Sequence, residues 1–346
     1  MAEGTLPQGR ADSTGPRRRR KRIHWEKVQP VLLLLPTIVL VAIFVYTFIG
    51  ATFYVSLSNW DSIKPDFTYQ GFSVYKDLFT NVRFQHDLRN MVVFTTIFLT
   101  GSVSLGLILA ILLERAKGLG VLRNIFLFPM ALSFIVAGVT WQWIFNPASG
   151  VNQLIDKVGI NDLLVALGGE PFAPNWIADA RVAPVLNDLL AKVIPAIGDL
   201  RVKIGVPLAL IPVGIAAIWM FAGFTMAMYL AGLAMISKEV REAARVDGAS
   251  EFQMYRHIII PLLKPMTITS LIILGHISLK IFDLIYAMAG SGAGFATEVP
   301  SIFVFEVTFK ALKYNTGSAA SMVMLFLVAI VIVPYLVSQY REGRAS

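Results

Sequence analysis

The chain contains no cysteine. That excludes a disulfide framework, a thiol nucleophile and a thiolate metal site, and leaves the redox surroundings unreadable. Charge is scarce as well. Asp, Glu, Lys and Arg make up 15% of the 346 residues, against about 25% in an ordinary soluble domain, so lipid is the expected solvent for much of the surface. The four histidines, His24, His86, His257 and His276, show no metal-ligand spacing. No G-x-x-x-x-G-K-[ST] occurs, so the chain is not expected to cradle a triphosphate itself. Gly290-Ser291-Gly292-Ala293-Gly294 ends on Phe295, where a dinucleotide-binding G-x-G-x-x-G needs its last glycine. That run follows an apolar stretch rather than a strand and reads as a mobile external loop. With no catalytic constellation and no metal cluster, the expectation is a protein that is not itself an enzyme and binds no cofactor.

Apolar sequence is what the chain has most of, at 56%. Five uncharged stretches exceed the ~20 residues that cross a hydrocarbon core: between Lys27 and Asp61, Arg89 and Glu114, Arg123 and Asp156, Lys203 and Lys238, and Lys313 and Arg341. A sixth, from Pro265 to about Ala289, is interrupted only by His276, Lys280 and Asp283. These predict an all-α integral membrane protein with six transmembrane helices, at about 31–57, 91–113, 121–145, 207–236, 265–289 and 317–339. The first run is too long for a signal-peptide core and ends in no small-residue cleavage site, so it reads as a retained helix. The membrane domain then covers 28–340. It follows a basic N-terminal segment, 1–27, expected to be disordered, and precedes a short tail, 341–346.

Charge placement sets the orientation. With six spans, 18 Lys and Arg fall on the side holding both termini and 11 on the other. The block at 17–22, five Arg and one Lys, stands directly before span 1 and marks that side as cytoplasmic. The topology is N-in, C-in. A nucleic-acid reading of the same block is weaker, because no aromatic residues interleave and no binding fold follows. The longest connection, 146–206, is external. Within it Val151, Leu154, Ile155 and Val158 recur with helical period, as do Leu186, Leu189, Leu190, Val193 and Ile194 between Pro184 and Pro195. Both stretches read as short helices resting on the membrane, with a docking face for an external partner as the alternative. Trp141 and Trp143 read as an interfacial belt at the outer end of span 3.

Loop 237–264, between spans 4 and 5, is cytoplasmic and uncommonly ordered in its sequence. Lys238 to Val246 puts Val240, Ala243 and Ala244 on one helical face. Gly248 supplies the positive φ that ends a helix sharply. Ser250 with Gln253 predicts a capping box, Phe252, Tyr255, Ile258 and Ile259 line one face of a second helix, and Pro261 and Pro265 stop it. The paired alanines would let another backbone approach closely, and Glu242 could take a charge-assisted bond from a partner's Arg. Periodicity alone leaves this docking reading level with a helix lying at the headgroups.

The spacing Glu242-Ala243-Ala244, Gly248, Ile258, Pro261 resembles the coupling loop of binding-protein-dependent ABC importer permeases. EAARVDGA with IIIP is similar to the carbohydrate-uptake (maltose-type) permease family, with Ile260 where Leu is usual. RNIFLFPMALSFIVAGVTWQWIFNPASGVNQLI (123–155) and LKIFDLIYAMAGSGAGFATEV (279–299) resemble two further stretches of that family, and the similarity runs over roughly 28–340. Ala293 and Phe295 depart from its usual Pro and Asn, and segment 178–206 is longer than the family leads one to expect. The resemblance implies that Glu242, Ala243, Ala244, Asp247, Gly248, Ala249, Ile258 and Pro261 couple the chain to cytoplasmic ATPases. It implies as partners a second homologous permease, two ATPase subunits that use ATP and Mg, an external solute-binding protein and a sugar.

His276, Lys280 and Asp283 follow i, i+4, i+7 and so would share a face of span 5, where buried charges usually line a cavity or pair with one another. Asp283 and Lys280, with Phe282 and Tyr286 to stack on a pyranose, are the candidate solute path. A structural Lys280–Asp283 pair is the alternative, and His276 reads as packing. As rival functions, a secondary transporter or channel would leave the coupling loop without a role, and an anchoring subunit would need no charged face on span 5.

Overall fold

The computed structural model describes residues 25–115, 120–183 and 202–345. The basic block at 17–22 and the apolar stripe at 186–194 lie outside the described residues. The chain divides into two units, 1–51 and 52–346. Helix α1 (Trp25–Val41) passes through a π turn (Ala42–Tyr46) into α2 (Thr47–Ser56), whose residues from Thr52 on belong to the second unit, and Leu32–Ser56 is long and apolar enough to cross a bilayer.

The second unit continues with α3 (Ser73–Thr80) and α4 (Val82–Arg115). Next come α5 (Gly120–Leu127), a 3₁₀ turn (Phe128–Ala131) and α6 (Phe134–Ile144), then the short α7 (Val151–Lys157) and α8 (Ile160–Ala166). Strand β1 (Val182–Ala183) pairs antiparallel with β2 (Val206–Pro207), Val182 opposite Pro207, and leads to α9 (Leu210–Met235). The corner comprises α10 (Lys238–Val246), α11 (Glu251–Met254), a π turn (Tyr255–Ile259) and α12 (Ile260–Leu262). It continues into α13 (Lys264–Leu279) and α14 (Asp283–Met288). The chain closes with α15 (Pro300–Phe305), a second π turn (Glu306–Lys310) and α16 (Tyr314–Ala345).

Helix α9 is the axis of this unit. It is apolar on every side, as a fully buried helix is, and 67% of its apolar window is buried against 6% in Tyr314–Val337. Small residues let α4 and α5 close on it. A Cβ on Gly214 would meet Ile97, one on Gly106 would meet Thr225, and one on Gly223 would fall 1.9 Å from the Phe126 carbonyl oxygen. Thr225 Oγ1 donates across to the Ser102 carbonyl at 2.6 Å, and Phe94, Phe98 and Phe221 fill the space above.

Four helices are long and apolar enough to span, or up to six if two bent pairs each count as one. Two of the six expected spans are not continuous rods. Expected span 121–145 bends by 99° between Ala131 and Phe134, where Leu132 and Ser133 take extended backbone. The expected span 265–289 stops at Leu279 and restarts at Asp283. At the second break the freed Ile281 carbonyl accepts the Ser301 hydroxyl at 2.5 Å, the kind of repair that makes an interrupted helix tolerable in lipid. Pro261 and Pro265 bracket the end of the corner's second helix as expected, with α12 ending at Leu262 and α13 starting at Lys264. The chain winds a π turn before Pro261 and bends 60° between Leu262 and Lys264, because a proline lacks the N–H that would continue the ladder.

Outside the spans, α7 forms at the expected apolar repeat, but Leu154 and Val158 are exposed. Buried Asn152 instead ties the connection together. Its Nδ2 donates to the Pro174 carbonyl at 3.1 Å, and its Oδ1 accepts Trp176 Nε1 at 2.8 Å. Trp141 is no belt residue: it stacks on Phe145 and meets Trp219 edge-on. Trp143 is 69% exposed.

Candidate functional site

Two places hold the candidate functional residues, the first being the corner after α9. Helix α10 ends in a Schellman turn: the Ala249 N–H donates to the Ala244 carbonyl at 3.0 Å and the Gly248 N–H to the Arg245 carbonyl at 3.1 Å. Gly248 has φ +79°, in the left-handed region that favours glycine. The capping box forms as expected, with the Ser250 N–H donating to Gln253 Oε1 at 2.8 Å and the Gln253 N–H to Ser250 Oγ at 3.3 Å. Arg245 and Glu251 pair across the turn at 3.2 Å. A turn closed by so many local bonds is a rigid knob.

Its two faces differ from the periodicity reading in two respects. Glu242, Ala243, Asp247, Gly248 and Pro261 are exposed, and Ala249 and Ile258 are half-buried. Ala244, however, points inward with Met254, Tyr255, Ile259 and Leu263, against Tyr229, Leu233 and Ala110. Its methyl seats the knob on its own chain, so only Ala243 of the pair faces outward. Phe252 is 71% exposed rather than inward, because Met254 takes the inward place at the start of α11. With Val246, 86% exposed, it adds apolar surface to the outer face.

Glu114 was legible in the sequence only as a span boundary. Its Oε1 accepts Arg241 Nη2 at 2.5 Å and its Oε2 accepts the Tyr255 hydroxyl at 2.9 Å. Burial works against the Arg241 cation, but the Glu114 hydrogen bond and charge outweigh it and hold the guanidinium above its ordinary value. A signal existed: a carboxylate in the last turn of a helix opposes the macrodipole and so calls for a cationic partner.

The second place is a cavity of about 420 Å³ where the two helix breaks meet. Met130, Leu132 and Phe134 line it from the first break, Ile277, Lys280, Ile281, Phe282 and Asp283 from the second, and Phe221 from α9. A Cβ on Gly138 would lie 2.9 Å from the Leu284 carbonyl oxygen, so only glycine lets α6 press this closely on α14 and hold the breaks together. The expected shared face of His276, Lys280 and Asp283 does not exist. Lys280 caps the C-terminus of α13 and Asp283 opens α14. Both are exposed, and among the described residues no ion pair joins them. Tyr286 is off the cavity wall, stacked on Phe282 at 5.0 Å with Phe305 edge-on. His276 is half-buried, with no hydrogen bond to its Nδ1.

Beyond the cavity, the glycine run expected to be mobile is wound and tethered. Gly290, Gly292 and Gly294 all have positive φ, and Thr297 Oγ1 donates to the Gly290 carbonyl at 3.0 Å. Asn90 Nδ2 donates to the Phe295 and Glu298 carbonyls, each at 2.8 Å. Arg83 pairs with the fully buried Glu298 at 2.6 Å and with Glu306 at 2.5 Å, its guanidinium 4.7 Å from the Phe295 ring centroid. The sequence reading missed this cluster, since its members are more than 200 residues apart.

Residues 102–341 match the family model described as "Binding-protein-dependent transport system inner membrane component". The chain belongs to that family. The permease is 33% identical over 313 residues to a probable ABC transporter permease protein of Pyrococcus horikoshii, covering 90% of this chain and 95% of the relative. It is 31% identical to the trehalose/maltose transport system permease protein of Thermococcus litoralis, over 90% and 94% of the two chains. Its fold is similar to a crystal structure of a bacterial ABC transporter involved in import of the acidic polysaccharide alginate, with a TM-score of 0.64 at 19% identity over 92% and 98% of the chains. The protein is thus a multi-pass permease subunit of an ABC importer in the inner membrane.

Proposed function

We propose that this permease carries a sugar through a six-span, N-in/C-in domain, driven by ATPases that seat against the corner formed by α10 and α11. Broken spans alone do not select this reading, because secondary transporters also carry interrupted helices near the midplane. The observation that carries it is the rigid corner itself. A turn fixed by a Schellman closure, a capping box and an ion pair presents Glu242, Ala243, Asp247 and Gly248 outward beside exposed Val246 and Phe252. A secondary transporter has no use for such a knob. Apolar residues rimmed by charge are what a protein partner covers. Ala244 then serves from beneath, half-buried Ala249 and Ile258 shape the knob, and Pro261 stays on its exposed surface.

The sugar assignment draws on relatives such as the trehalose/maltose permease and on the chemistry of the cavity. A carboxylate, an ammonium and the Phe282 ring face one space, and that set bonds hydroxyls and stacks on a pyranose. The partners follow from the same reading: a second homologous permease, two ATPase subunits that bind the ATP and Mg, and an external solute-binding protein. This chain then binds no cofactor and does no chemistry of its own.

The deciding experiment alters the corner. Gly248→Val forces a β-branched residue into the left-handed region, and Glu242→Lys reverses a charge on the outer face. Each is expected to leave membrane insertion intact, to abolish uptake and to weaken ATPase co-purification. Wild-type uptake by Gly248→Val would remove the corner from the mechanism.

A further inference from the structure

We infer that α4 is a strut, with Glu114 as its cytoplasmic positioning residue and Arg83 and Asn90 as its outer ones, which carries displacement of the corner to the loop behind the cavity. The inference rests on the coupling role proposed for the corner. Helix α4 is a single element of 34 residues, about 50 Å long at 1.5 Å per residue. The two chain segments that supply most of the cavity wall are broken beside it, one between Ala131 and Phe134 and the other between Leu279 and Asp283; α4 is not.

Each end of α4 is fixed by charged bonds to a different working part. At the cytoplasmic end, Arg241 comes from α10 and Tyr255 from beyond the Gly248 turn, so Glu114 holds both arms of the corner at once. The Arg241 and Glu114 side chains are only 19% and 22% exposed, and a pair so shielded is screened less than a surface pair. At the outer end, Arg83 and Asn90, two turns apart, hold the side chain and the backbone carbonyl of Glu298. The loop they hold leaves α14, which carries Asp283 and is pressed on α6 at Gly138. A corner pushed by its partner therefore has an unbroken, doubly clamped element leading to the far side of the cavity. Coupling between distant sites calls for this kind of physical continuity, and it is shown by measured transmission rather than by proximity.

Transmission is measurable with MgATP and vanadate as the probe, so no transported sugar is needed. In the permease–ATPase complex, half-buried Ser291 of the loop is replaced, Ser291→Cys, in this cysteine-free chain. Its maleimide labelling rate is compared before and after vanadate trapping. The expected result is a clear change on trapping that Glu114→Gln reduces by about 2- to 30-fold, the range in which substitutions along coupling networks act, with the complex still assembled. Exchanging the charges, Glu114→Arg with Arg241→Glu, is expected to restore the response, which a merely structural loss would not allow. Arg83→Lys, which keeps the charge but loses the fork, is expected to reduce it likewise. A full response in Glu114→Gln overturns the strut, and so does the absence of any trapping response in the parent complex. If Glu114→Gln does not assemble, Tyr255→Phe decides, and a full response there overturns the inference. A strut that fails while Gly248→Val still abolishes uptake leaves the coupling corner standing; normal uptake by Gly248→Val overturns both.

Discussion

Lys280 and Asp283 are three residues apart yet belong to different helices, Lys280 at the C-terminal end of α13 and Asp283 in the first turn of α14. Each charge sits where its helix dipole favours it, so neither needs the other. Asp283→Asn keeps the shape and removes the charge. A hydrogen bond from a sugar hydroxyl to a charged group contributes about 1.5–3 kcal/mol, so uptake efficiency is expected to fall about tenfold or more at unchanged membrane abundance. The double change Lys280→Met with Asp283→Leu separates the two roles. If the residues only neutralised one another, an apolar pair would restore transport; as contacts in the cavity wall, they leave the double variant as impaired as Asp283→Asn. Near-normal uptake by that variant would return Asp283 to a structural role. Regular spacing concealed all of this in the sequence, because i, i+4, i+7 describes one face only if the helix continues. A basic residue followed three positions later by an acidic one is also the pattern of one helix ending and the next beginning.

Elements were legible wherever the deciding forces are local. The turn at Gly248 and the Ser250–Gln253 box follow from backbone and capping chemistry within a few residues, and both form as read. The inward place of Ala244 and the outward one of Phe252 depend on what lies beneath the corner, and no period reports that. Hydropathy likewise located the apolar stretches but not their breaks, since the average over a window is the same for a straight helix and a bent one. Glycine shows the same division between local and long-range causes. Gly223 and Gly275 both lie inside helices, and sequence does not tell them apart. An added Cβ at Gly223 would sit 1.9 Å from the Phe126 carbonyl oxygen, while at Gly275 nothing lies within 4 Å. Gly223→Ala is therefore expected to lower the thermal midpoint of the detergent-solubilised protein, by the equivalent of about 1–3 kcal/mol of overpacking. Gly275→Ala is expected to leave it unchanged or raise it, since alanine gains up to about 1 kcal/mol over glycine in a helix. Equal midpoints for the two variants would mean that α5 and α9 do not meet as closely as described.

At the scale of the whole molecule, the open matter is which side of the membrane each part faces. The corner and the Asn152-anchored connection lie at opposite ends of α9 in the chain, and a helix of 26 residues is about 39 Å long, enough to put them on opposite sides. On the six-span topology proposed above, the excess of 18 over 11 basic residues on the side of the termini would put the corner in the cytoplasm by the positive-inside rule. Two exposed positions test the assignment in a chain that carries no cysteine of its own. Gln153→Cys in α7 is expected to react with a membrane-impermeant maleimide applied to intact cells. Ser237→Cys, at the start of the corner, is expected to react only after the membrane is opened. Labelling of both from outside would place the corner beyond the reach of any cytoplasmic ATPase and would end the coupling mechanism along with the topology. Labelling of Ser237→Cys alone from outside would invert the chain. Only the first pattern lets α9 carry the knob on the side where ATP is available.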